Sequence, residues 1–91
     1  EYQNLSYNFS HKKAETFMVT VPPETYEAGI SVNTHPGQEF NYMLEGRLEL
    51  LINGKSIIME EGDSIYFDST YPHGMRALDH KKARFLAVIT L

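Results

Sequence analysis

Residues 33–46 read NTHPGQEFNYMLEG, and the fold of the whole chain turns on how they are read. His35 stands before a Pro36-Gly37 pair, and Glu39 follows it at the head of a run of strand-forming residues. Alternation along an extended Ile30–Thr34 puts Asn33 and His35 on the same face. Pro36 fixes φ as the first corner of a type II turn needs, and Gly37 supplies the positive φ of the second. The reversal predicts Glu39 directly across from His35, with Cβ atoms about 4.5–5.5 Å apart. At that spacing an imidazole nitrogen and a carboxylate oxygen reach one metal ion at about 2.0–2.2 Å. Taken alone, the pair reads more simply as a surface turn.

Outward from this stretch, short runs rich in β-branched and aromatic residues recur at Thr16–Val21, Ile30–Thr34, Glu39–Leu44, Arg47–Ile52, Ser56–Met59, Ser64–Phe67, Gly74–Ala77 and Ala83–Thr90. Turn signals separate them, and no long segment has helical periodicity. The expectation is an all-β fold, a small antiparallel barrel or sandwich. Asn53-Gly54 predicts a tight type I′ hairpin, with Leu48, Leu50 and Ile52 on one face and Arg47 and Glu49 on the other. Ala83–Thr90 is apolar on both faces, which predicts cover on both sides: the core on one, a second layer or a partner subunit on the other.

Two ligands hold a metal poorly, and the segment from Gly62 to His73 offers a third. Gly62-Asp63 is a turn, Ile65 and Phe67 alternate with Tyr66, and Pro72 restricts the backbone just before His73. His35, Glu39 and His73 form a two-histidine, one-carboxylate set, an arrangement used by non-haem Fe(II) and by catalytic zinc, with open positions left for a ligand. Asn41 and Met43 share the parity of Glu39, and Met75 that of His73, which makes them candidates for cavity lining or for barrel core. Phe40, Tyr42 and Leu44 point the other way, toward a second layer or a dimer interface. Tyr66 and Tyr71 are candidates to offer a hydroxyl to a ligand, although packing explains each as well. His11 and His80, each beside a Lys pair, are expected to face solvent.

Composition narrows the classes. Ninety-one residues make at most one domain, and a domain this small has little intrinsic stability, so dimerisation would supply burial that the chain lacks. There is no cysteine, which excludes disulfides, thiolate metal sites and a Cys nucleophile and permits an intracellular location. A formal charge of −4 argues against a nucleic-acid surface. Phe85–Leu91, the longest uncharged apolar stretch, is too short to span a bilayer, and a soluble, cytoplasmic protein is expected. The chain opens on Glu1 rather than Met, which raises the expectation of a processed product or of a preceding N-terminal domain.

The two stretches together resemble the two motifs of the cupins, whose fold is the double-stranded β-helix or jelly roll. The first motif commonly runs HxH, three or four residues, Glu, six residues, Gly. Here Glu39 and Gly46 stand at that separation, and His35 matches the second histidine. The second motif runs from a Gly-Asp turn to Pro-His, matched by Gly62-Asp63 and Pro72-His73. The resemblance covers roughly residues 28–90 and implies a divalent transition metal (iron, zinc, manganese or nickel) on His35, Glu39 and His73. Asn33 replaces the usual first histidine, Asp68 and Thr70 a usual Pro and Gly, and Ala77 a frequent Asn. A His-x-x-x-Glu plus His set still serves some cupin enzymes, a fosfomycin-forming epoxidase among them, and Asn33 is a candidate weak ligand or water-orienting group.

The resemblance implies one cupin domain over residues 1–91, with its core at about 15–91 and residues 1–14 as an extension or linker. Within the family, Tyr42–Leu50, Gly62–Phe67 and Ala83–Ile89 look like the C-terminal sensor domains of XRE-type helix-turn-helix regulators. A small-molecule sensor that meets DNA only through a domain ahead of Glu1 is therefore expected. The alternatives are a stand-alone metal-dependent dioxygenase, epoxidase or isomerase acting on a small polar substrate, and an interaction module with an empty pocket. Beyond the ligands the sequence offers no convincing general base, because Asp68 and Tyr71 are near His73 only in sequence.

Overall fold

A computed structural model describes residues 1–23 and 29–91, so residue 28, where the motif resemblance starts, lies outside the described residues. These form eight strands, β1 (Tyr2–Asn4), β2 (Ala14–Val21), β3 (Gln38–Glu45), β4 (Leu48–Ile52), β5 (Lys55–Met59), β6 (Ser64–Asp68), β7 (His73–Ala77) and β8 (Ala83–Thr90), and no helix. They pair, antiparallel throughout, into a five-stranded sheet in the order β1-β2-β8-β3-β6 and a three-stranded sheet in the order β5-β4-β7. This is the all-β, antiparallel architecture expected from the turn spacing and, more closely, the jelly roll implied by the family resemblance.

Alternation explains the core. On β3, Glu39, Asn41 and Met43 are buried while Tyr42 and Leu44 are exposed. Ala83, Phe85 and Ala87 of β8 and Phe67 of β6 face the same interior, closed from the other sheet by Leu48, Leu50, Met59 and Ala77. The hairpin between β4 and β5 forms at Asn53 and Gly54, both at positive φ (49° and 81°), as a type I′ turn requires. β8 lies at the centre of its sheet between β2 and β3, which accounts for its apolar inner face. Its outward Leu86 and Val88 remain only half-buried.

Two expectations change. Ile30–Thr34 is not a strand: only Asn33 pairs, in an isolated antiparallel bridge with His73. The segment instead lies close over Gly74, where a Cβ would come within 2.0 Å of the Ser31 carbonyl oxygen. Conversely, residues 1–14 are more than an extension, because Tyr2–Asn4 adds a strand to β2. Three residues are too few for periodicity to reveal. What fixes them is the edge-to-face contact of Tyr2 with Phe17 (ring centroids 6.2 Å apart) and the Leu5 amide donating to the Thr16 carbonyl at 2.8 Å.

Candidate metal centre

Three elements from different parts of the chain meet at one end of the barrel. Glu39 sits on β3 between Phe67 of β6 and Ile89 of β8 and is 5% exposed. A carboxylate walled by apolar neighbours needs a partner, since burying it uncompensated costs several kcal/mol. His35 Nε2 lies 3.1 Å from Glu39 Oε1, and His73 Nε2 lies 3.7 Å from the same oxygen. The ligand atoms of the three residues all fall within 4.8 Å of one another. Glu39 belongs to the five-stranded sheet and His73 to the three-stranded one, so the cluster spans the gap between them.

The second nitrogen of each ring fixes what the first presents. His73 Nδ1 lies 2.9 Å from the Tyr71 carbonyl, and His35 Nδ1 3.2 Å from that of Pro36. A carbonyl only accepts, so in the neutral rings both hydrogens reside on Nδ1 and both Nε2 lone pairs face Glu39. In that neutral tautomer two lone pairs and a carboxylate oxygen converge. Such a donor set fits a divalent cation of the first transition row, with backbone carbonyls orienting the rings from behind. The edge of Phe67 further holds the His73 ring (centroids 5.0 Å apart, planes at 66°).

His35 reaches this point by a route other than the one expected. Glu39 stands opposite Phe67 and Ile89 rather than opposite His35. The loop carrying His35 is instead fastened to the turn before β7: the His35 amide donates to the Ser69 carbonyl at 3.0 Å, and the Ser69 amide to that of Gly37 at 3.1 Å. Gly37 does have the positive φ (93°) read for it, and it also permits close approach, because a Cβ there would lie 2.4 Å from the Thr90 carbonyl oxygen. Ser69 was not singled out by the sequence, in which an isolated serine in a turn carries no signal.

A cavity of about 480 Å³ opens onto the cluster and is lined by His35, Glu39, His73, Asn33, Met75 and a set of apolar side chains from β1, β2 and β8. Asn33 is exposed and is tied to His73 through its backbone, its amide donating to the His73 carbonyl at 2.9 Å and its carbonyl accepting at 3.0 Å. Asn41 and Met43 do not line the cavity. Each step of two residues along β3 moves about 6.6–6.8 Å deeper, and both are packed in the core at 1% exposure. There the Asn41 side chain makes no hydrogen bond to the protein.

Tyr71 also lies outside the cavity lining, at 49% exposure, and contributes its carbonyl rather than its hydroxyl. Tyr66 donates its hydroxyl to Gln38 on the outer surface. Asp68 accepts from the hydroxyl and amide of Thr70, which hold its carboxyl below the usual range; it closes a turn and does not face the cluster as a base. His11 and His80 are exposed. A wider groove of about 780 Å³, at the far end of β3, is lined mainly by charged side chains and contains none of the three clustered residues.

The family model for the cupin domain matches residues 11–89. No curated protein matches the chain. Among solved structures, the chain superposes on the cupin domain of an XRE family transcriptional regulator from Enterobacter cloacae with a TM-score of 0.83 at 20% identity, covering 100% of this chain and 95% of that one. An HTH_3 family transcriptional regulator from Vibrio cholerae gives a TM-score of 0.81 at 20% identity over 99% of this chain, which spans about half (49%) of the regulator's length. A predicted oxalate decarboxylase from Thermotoga maritima gives a TM-score of 0.74 at 30% identity, covering 89% of this chain and 70% of that one.

Proposed function

This chain belongs to the cupin family, and on that premise we propose that it is a metal-binding domain that senses a small molecule, the C-terminal effector part of a bacterial transcriptional regulator. The observation that carries the metal half is the convergence of His35, Glu39 and His73, whose ligand atoms all lie within 4.8 Å of one another. These three residues would hold the ion. When bound, it supplies a Lewis-acidic centre with open positions for an oxygen-donor ligand. The chain's own groups orient the rings through the Tyr71 and Pro36 carbonyls and wall off water with Phe67 and Ile89. Asn33 stands at the rim as a water-orienting group.

The sensing half draws on the two regulators with this fold. DNA contact would then belong to a domain ahead of Glu1 in a cytoplasmic protein. No helix among the described residues is long and apolar enough to cross a membrane. Residues 1–91 act as one domain and pair as a homodimer through the outer face of the five-stranded sheet, where Tyr42 and Leu44 are 40% and 44% exposed beside half-buried Leu86 and Val88.

The likeness to a predicted oxalate decarboxylase favours a second reading, a metal-dependent enzyme built on the same three residues. Two measurements decide. Protein purified without chelator should carry close to one equivalent of transition metal per chain, and His73→Ala should lose it. Unchanged metal content in that variant excludes His73 as a ligand. A reading frame that encodes a helix-turn-helix segment upstream of Glu1 supports the sensor, whereas an initiation codon immediately before Glu1 supports the enzyme.

A further inference from the structure

The cavity above the cluster is chemically lopsided. The polar groups are His35, Glu39 and His73 together with the uncharged Ser31 and Asn33, and most of the remaining wall is apolar, with Phe17, Met75, Phe85 and Ile89 its largest members beside Tyr2. All eight Lys and Arg residues of the chain lie among the described residues, and none lines this cavity. Those whose partners are clearest are engaged elsewhere: Lys12 with Glu15, Arg47 with Asp79, and Arg76 with Glu49. Residues 24–28, which read ETYEA, contain no cation either.

We propose that the ligand of this site is an amphiphilic monoanion, a single carboxylate or comparable oxygen-donor head on an apolar body of a few carbons, and that dianions are rejected. The inference rests on metal occupancy at the cluster and adds the ligand class. With a divalent ion, Glu39 as the one carboxylate and two neutral imidazoles, the polar end has a net charge of +1, enough for one negative head. A second anionic group on the same ligand would sit among Phe17, Phe85 and Ile89 with no counter-charge, where burial costs it several kcal/mol. The apolar walls instead favour each added methylene as it leaves water, and the volume, about 480 Å³, falls within the range of small-molecule pockets. Tyr2, which meets Phe17 edge to face, sets the outer limit of that gain.

The test is titration calorimetry of the zinc-loaded 91-residue chain with acetate, butanoate, hexanoate and adipate, with zinc content measured on the same sample. Affinity should rise about fourfold per methylene, the ~0.8 kcal/mol of burying one CH₂, and adipate should bind at least about tenfold more weakly than hexanoate. Phe17→Ala should weaken hexanoate about tenfold while leaving acetate within about twofold. Tyr2→Ala, at a residue 74% exposed, should reproduce a smaller part of that loss if the Phe17 variant does not fold. A flat series, adipate binding tighter than hexanoate, or equal losses for acetate and hexanoate in the variants would overturn the ligand class while leaving the metal site standing. Failure to retain zinc would overturn the metal reading and this proposal together.

Discussion

Replacing Glu39 by Gln changes the cluster by one atom and separates metal ligation from structural support. In chelated protein, the carboxylate faces the Nε2 lone pairs of His35 at 3.1 Å and of His73 at 3.7 Å, with both ring hydrogens committed to backbone carbonyls. The Gln amide has hydrogens to give, and its NH₂ at the Oε1 position would donate to His35 Nε2. One hydrogen bond contributes ~0.5–1.5 kcal/mol, and the variant no longer buries a charge. In EDTA at pH 8 it should therefore melt higher than the parent, by about 4–8 °C for each kcal/mol in a domain of this size. With zinc added to 100 times its dissociation constant, the order should reverse. The parent gains about 2.7 kcal/mol from linkage, or roughly 10–20 °C, and the Gln variant gains almost nothing. Calorimetric melts of both proteins with and without zinc supply the four numbers. A Gln variant that melts lower in EDTA, or one that keeps the zinc-induced shift, would refute the claim that three electron-pair donors meet here around a cation.

Other outcomes follow from the same geometry. Gly74→Ala places a Cβ 2.0 Å from the Ser31 carbonyl oxygen, so it should cost about 1–3 kcal/mol in denaturant unfolding and lower zinc affinity by loosening the Asn33–His73 bridge. Glu49 accepts from Ser56 at 2.7 Å and from Arg76 at 2.8 Å, which lowers its pKa from the ordinary 4.5. The resulting stabilisation is present above that value and is lost as pH falls through the lower folded value, because the unfolded chain takes up the proton first. Thermal melts from pH 6 to pH 3 should accordingly fall less steeply for Glu49→Gln than for the parent. Tyr42→Lys on the outer face should convert a dimer to a monomer by light scattering at micromolar concentration, and a parent that already scatters as one chain would dispose of the dimer.

Much of the barrel was legible because its strands obey a period of two. Glu39, Asn41 and Met43 alternate with exposed Tyr42 and Leu44, and Asn53-Gly54 has the backbone freedom of a single turn type. The three clustered residues were legible for a different reason: turn chemistry at Pro36-Gly37 and at Pro72 marks places where the backbone is constrained. The route between them was not, since His35 is positioned by main-chain bonds to Ser69, which leave no trace in residue type. β1 escaped notice because Tyr2–Asn4 is held by one ring contact and a short ladder rather than by a pattern. The apolar end of the cavity was missed as well. Phe17 and Ile89 read as ordinary strand residues, and only the pairing of β8 with β3 on one side and with β2 on the other sets Ile89 beside Glu39 and brings Phe17 into the same cavity.

Because Glu39 and His73 come from different sheets, an ion held between them would act as a clasp across the seam of the sandwich. Closing it ties two halves that otherwise adhere through side-chain packing, and opening it lets them breathe. Whatever ligand completes the coordination would be felt as tension along β3 and β8, whose opposite surfaces carry Tyr42, Leu86 and Val88. In such an arrangement, chemistry at the mouth of the barrel reaches its outer wall across the thickness of one sheet.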